Sequence, residues 1–207
     1  MNITDLYQKI KQILDDSNVA LLNKGLEQVD NLYDIPDEIA KGGVINRFPF
    51  WHNGMVTKIT EEDFGGATSI RDYMFDQCDS LKSIIIPDSV TSIGNYAFYL
   101  CESLTSITIP DSVTSIGYQA FEHCTSLVSI TIGNSVTSID RNAFSGCNNI
   151  TDIYLHPIMP PVIDSDVGIY RYGTTTIHVP IGSGDAYKSA TNWSVYADRI
   201  VEDIEAT

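Results

Sequence analysis

Four cysteines, Cys78, Cys101, Cys124 and Cys147, are the most chemically suggestive residues of the chain, and they stand 23 residues apart. Zinc sites need cysteine and histidine in close pairs such as CxxC, and neither these cysteines nor His52, His123, His156 and His178 have that spacing, so no zinc or other metal site is expected. His123 beside Cys124 has the makings of an activated thiol, but Cys124 shares its position with three cysteines that lack a histidine neighbour. A buried cysteine ladder is the stronger reading. Asp164, Asp166 and Gly168 match the opening of a calcium loop, yet the twelfth position is Thr175, where a bidentate glutamate is needed. The Gly-Ser-Gly at 182–184 has neither the flanking glycines nor the βαβ context of a phosphate-binding loop and reads as a helix cap. Serine and threonine are abundant for reasons of repetition, and none sits on a strand-to-helix elbow, so no Ser/His/Asp order can be defended. The expectation is a non-enzyme without a cofactor.

The elements that must position these residues announce themselves by repetition. The string SVTSI occurs at 89–93, 112–116 and 135–139, the same period of 23. A fixed period of this length signals a solenoid. Aligned copies give apolar columns at Leu81, Leu104, Leu127 and Ile150, at Ile84, Ile107, Ile130 and Ile153, and at Ile86, Ile109, Ile132 and Leu155, an LxxLxL pattern. Further columns hold Val90, Val113 and Val136, Ile70, Ile93, Ile116 and Ile139, and Phe75, Phe98, Phe121 and Phe144. A coil of 23 residues cannot bury its apolar face alone and must stack on a neighbour. The stretch Ser106 to Ile109 alternates hydroxyl with apolar residues, which predicts a short strand with Ile107 and Ile109 inward and Ser106 and Thr108 outward. Strands of successive coils should pair in parallel. Pro87 and Pro110 close their strands, and Gly94 or Gly117 opens a turn before Ala97-Phe98 or Ala120-Phe121, a second segment expected to form one helical turn.

The run IPDSVTSIGNYAFYLCESLTSITIPDSVTSIG, from Ile86 to Gly117, resembles the BspA-like leucine-rich repeat of bacterial surface proteins, which joins LxxLxLP, an IG turn, AF and C. Pro160-Pro161, TIHVP at 176–180, DAYKSA and Trp193 are similar to that family's C-terminal cap, so the likeness extends over about two thirds of the chain. The fold expected is an α/β repeat, a right-handed leucine-rich-repeat solenoid with parallel strands, 23-residue coils, a helical N-terminal segment and a capped C-terminus. The resemblance implies adhesion or protein binding at the bacterial surface, although the mixed charges of Met1 to Asp16 lack the apolar core of a secretory signal.

The ends complete the division. Residues 1–54 are assigned to an N-terminal capping or attachment segment, 55–155 to the repeats and 156–207 to the cap. Ile3, Leu6, Ile10, Ile13 and Leu14 stand at helical spacing with Thr4 suited to the N-cap, and 22–40 resembles a helical module of some phage tail-associated and surface proteins. A structural or receptor-binding part of a phage tail is therefore the alternative function. Val56 and Ile59 are suited to a first half-coil, Gly184-Asp185 to the start of a helix reaching Ala190, and Trp193, Tyr196 and Ile200 to closing the last coil. Formal charge is −15, from 27 acidic and 12 basic residues, which repels nucleic acid and anionic membranes. No run is long and apolar enough to span a bilayer. A monomer is expected, with a protein or cell-surface ligand at the outward strand column: Ile85, Thr108, Thr131 and Tyr154, with Lys82 and His156, and with Tyr170 and Tyr172 of the interrupting segment as further candidates.

Overall fold

In the computed structural model, residues 56–164, 166–169 and 174–205 are described. The expected N-terminal helix, the 22–40 module, Tyr170 and Tyr172 lie outside them. Alternation becomes strand wherever the isoleucine columns run. The first short pair, β1 (Lys58–Ile59) and β2 (Ser83–Ile84), is parallel, with Ile59 opposite Ile84. Ile59 thus takes the half-coil place expected of it. The long sheet then holds β4 (Ser106–Ile109), β6 (Ser129–Ile132), β8 (Asp152–Leu155), β10 (Thr176–Pro180) and β11 (Ile200–Ile204), all parallel. Its first strand is β4. The strand before it, β2, pairs with β1 in a separate sheet, so the pairing of successive coils is interrupted there.

The three SVTSI strings supply β3 (Ser92–Ile93), β5 (Ser115–Ile116) and β7 (Ser138–Ile139) of a second parallel sheet, which β9 (Val162–Ile163) completes. Threonine recurs in them because it bonds twice. Thr114 sends both its amide (2.9 Å) and its hydroxyl (3.2 Å) to the Thr91 carbonyl, and Thr137 repeats this on Thr114 at 2.9 and 3.2 Å.

The Ala-Phe segments are not the helical turn that the sequence suggests. Tyr96, Gln119 and Asn142 have φ of 54°, 52° and 57°, and Leu100 and His123 have φ of 57° and 60°, all in the left-handed region. Amides along each segment alternate in direction. Those of Tyr96, Phe98 and Leu100 donate to the carbonyls of Tyr118, Ala120 and Glu122 in the next coil, whereas those of Tyr99 and Cys101 close local turns. A helix would spend every amide within its own coil, while stacked coils offer carbonyls outside it. Pairing across coils satisfies these buried amides and knits a third ladder.

Between the three ladders lie the apolar columns. Phe75, Phe98, Phe121 and Phe144 are buried and stacked, with centroids 5.1, 5.0 and 5.7 Å apart in succession. All four cysteines are free and buried beside them. The thiols of Cys101, Cys124 and Cys147 donate to the carbonyls of Phe75, Phe98 and Phe121 at 3.1, 3.1 and 2.9 Å. At the C-terminal end, helix α1 (Gly184–Ser189) and a 3-10 helix (Ser194–Arg199) bring Tyr187, Trp193 and Tyr196 over the last coil, each buried.

Candidate functional site

The long sheet decides which side chains can meet a partner. Period-2 alternation turns Ile107, Ile109, Ile130, Ile132, Ile153 and Leu155 into the core, so their neighbours face outward. Parallel register aligns those neighbours strand by strand: Thr108 opposite Thr131, Thr131 opposite Tyr154, Tyr154 opposite His178, and His178 opposite Val201. Thr108 is exposed and Thr131 and Tyr154 are half-buried. Ile85 and Lys82 are exposed beside the separate β1–β2 pair, Lys82 preceding β2 with its amide donating to the Thr57 carbonyl. His156 follows β8, half-buried, where its amide meets the Ile132 carbonyl.

The most structured group on this face includes residues that were not singled out from the sequence. His178 stacks on Tyr154 with ring centroids 4.4 Å apart and planes 15° from parallel. Its Nδ1 lies 2.7 Å from Asp203 Oδ2 and its Nε2 lies 3.0 Å from Asp152 Oδ1. Burial by itself would lower the pKa of His178, but the bonds to Asp152 and Asp203 outweigh it and raise the pKa. Asp152 is held below the usual carboxylate value, first by the hydroxyl of Thr151, 2.6 Å from its Oδ2, and then by His178. The result is an imidazole ring held between carboxylates of β8 and β11, a setting that favours its protonated form. Both ring nitrogens are thus engaged by carboxylate oxygens, which fixes the plane of the ring on this face. TIHVP carried the signal for it, because inward Ile177 and Val179 force His178 outward. Asp203 carried none.

The other chemical candidates disperse. His123 is exposed and lies edge-on to Tyr99, ring centroids 6.1 Å apart, whereas Cys124 is buried and bonded to Phe98. The Thr175 hydroxyl donates to the Ile150 carbonyl at 2.8 Å, and Asp166 Oδ1 accepts the Gly168 amide at 2.8 Å. Both serve the backbone. Among the described residues no group of three or more His, Cys, Asp and Glu is placed to hold a metal ion, and no helix is long and apolar enough to cross a membrane. Burial raises the pKa of Cys124, assisted by its bonds with Cys101 and Cys147, while the pKa of Cys78 is raised by its bond with Cys101 and by burial. At Cys101 burial opposes the thiolate and the bonds from Cys124 and Cys78 favour it. The bonds prevail and lower the pKa of Cys101, whose thiol donates to the Phe75 carbonyl.

Residues 68–162 match the family model described as BspA type leucine rich repeat region, in six copies. Similar solved structures include the T. pallidum leucine rich repeat protein TpLRR, 31% identical, covering 53% of this chain and 50% of that one with a TM-score of 0.45. A leucine-rich repeat protein from Bacteroides ovatus ATCC 8483 is 33% identical over 60% of this chain and 30% of its own, TM-score 0.48. A leucine rich cell surface protein from Faecalibacterium prausnitzii A2-165 is 27% identical over 52% and 40%, TM-score 0.32. The chain spans half or less of the length of these proteins. No curated protein matches it.

Proposed function

Since residues 68–162 are a BspA-type leucine-rich repeat region, we propose that the chain is a non-enzymatic protein-binding scaffold whose partner lies against the outward face of the long sheet. One observation carries this reading: five parallel strands present a continuous row from Thr108 through Thr131, Tyr154 and His178 to Val201, and no other described segment covers it. The row runs from small hydroxyl residues to the aromatic pair of Tyr154 and His178, and tyrosine is a residue enriched at protein interfaces. Lys82, Ile85 and His156 extend it. Adhesion at the bacterial surface is the setting that the repeat family suggests.

The test is steric. Thr108→Arg with Thr131→Arg places two long charged side chains on the row without touching the core, and surface changes of this kind alter stability by about 0.5 kcal/mol or less. Surface-display adhesion of cells carrying the chain to host proteins should be lost in the double variant while its melting temperature holds. Full adhesion by the variant rejects the face. Tyr154→Ala is the poorer choice, because Tyr154 also supports His178.

A further inference from the structure

Along the rim where the long strands end, a groove runs parallel to the solenoid axis. One part, about 610 Å³, is lined by Ile85, Asp88, Thr108, Asp111, Gly133 and His156 among others. The next part, about 410 Å³, shares His156 and continues past Asn134 to Ile158 and Met159. Gly133 stands where Pro87 and Pro110 stand in earlier coils and adds no side chain to the floor. Asp88 and Asp111 occupy one column in successive coils, both exposed, and Asp111 is fixed by accepting the Asn134 amide at 2.7 Å. Among the described residues neither lysine nor arginine lines either part.

The far end is apolar and rigid. Ile158 and Met159 are 60% and 74% exposed. The loop that carries them is pinned on both flanks from the cap: Tyr187 donates its hydroxyl to the Pro157 carbonyl and Trp193 its Nε1 to the Pro161 carbonyl, each at 2.7 Å. The backbone held this way presents both side chains to solvent. A rigid apolar pair beside a groove is a preorganised contact.

We propose that this groove binds an extended basic segment of a partner protein, with arginine or lysine against Asp88 and Asp111 and an apolar side chain on Ile158 and Met159. The inference rests on the protein-binding reading above and adds the chemistry of the partner. Charge complementarity selects the occupant, since the wall is acidic, carries no fixed cation, and belongs to a chain of formal charge −15. Spacing sets its form. Three coil steps of about 4.8 Å separate the Asp88 coil from the Ile158 loop, about 14 Å in all, and four residues of extended chain at about 3.3 Å each cover that distance. The motif is therefore Arg-X-X-X-Leu or its near equivalent.

The experiment is a peptide array probed with the full chain, using Arg-X-X-X-Leu with serine and threonine at X, against Glu-X-X-X-Leu and Arg-X-X-X-Ser. Retention should be about tenfold greater on the first series and should fall as salt is raised. Asp88→Asn with Asp111→Asn should equalise the arginine and glutamate series, and Ile158→Ser with Met159→Ser should equalise leucine and serine. All four positions are exposed, so circular dichroism should show the fold intact in each variant. Equal retention on the glutamate series, or retention indifferent to the aspartate variants, overturns the proposal. If none of the peptides is retained while the double arginine variant of the strand face loses adhesion, the groove is rejected and the scaffold reading stands.

Discussion

At the scale of single residues, His178 and the cysteines make opposite uses of protons. The pKa of His178 is raised in the folded protein, so its contribution to stability is complete below the ordinary imidazole value of about 6.5 and is lost as pH rises through the raised value. That of Asp152 is lowered, so its contribution is present above the ordinary carboxylate value and lost as pH falls through the lowered one. Urea midpoints measured from mildly acidic to alkaline pH should decline on the alkaline side in the wild type and stay level in His178→Gln. Parallel profiles for the two proteins would remove the clamp from the account. The cysteines should be silent across the same range, because each is buried and three of them donate to phenylalanine carbonyls of the preceding coil. Alkylation followed by mass spectrometry should give little labelling of the native protein and four labels after unfolding without reductant. Two labels after unfolding would mean a disulfide, and coils stacked in another register.

At the scale of elements, the left-handed turn ladder is the part of the coil least tolerant of change. Its members adopt a conformation disfavoured for residues with a side chain, and the amides they direct at the next coil hold them there. Asp166 and Val167 carry the ladder into the cap by accepting the amides of Asn142 and Phe144. Gly168 follows with φ of 83°, and a Cβ on it would lie 2.2 Å from the backbone nitrogen of Ser145. Backbone cannot step aside as a side chain does. Gly168→Ala should therefore lower stability by about 1–3 kcal/mol through overpacking, read from chemical denaturation. The phenylalanine stack is the other weight-bearing part of this segment: Phe121→Ala removes a fully buried ring held between Phe98 and Phe144 and should cost about 3–5 kcal/mol. A loss below about 1 kcal/mol in either variant would show that the coil relaxes around the change.

At the scale of the whole molecule, successive described coils are bonded each to the next, which makes the array one-dimensional. The expected solution state is an elongated monomer, and small-angle scattering should give a rod-like distance distribution at all concentrations. A compact profile, or a stoichiometric oligomer formed through the strand face, would contradict it. Stability in such an array depends on its ends. Trp193 is buried at the C-terminal end, with its ring edge-on to Tyr187 and Tyr196 at 5.4 and 6.2 Å and its Nε1 bonded to Pro161. Trp193→Ala should cost about 3–5 kcal/mol and expose the last coils first, seen as hydrogen exchange accelerated in β10 and β11 before β4.

The coil was legible without a structure, because a 23-residue period repeats the same inward columns, and columns of isoleucine, phenylalanine and cysteine can be buried only by stacking. So were the outward strand residues, since alternation leaves no choice once Ile107 and Ile109 are inside. The α1 helix and the buried aromatic cap were legible from Gly184-Asp185, Trp193 and Tyr196. Tertiary structure decided the rest. Ala-Phe segments read locally as a helical turn, but the carbonyls that draw their amides outward belong to the neighbouring coil and exist only after stacking. Asp203 reaches His178 because β11 pairs with β10, a register set outside the repeat by the path of the cap and not by periodicity. The groove, likewise, is made where strand ends from several coils meet a loop pinned by Tyr187 and Trp193, and no single coil contains it.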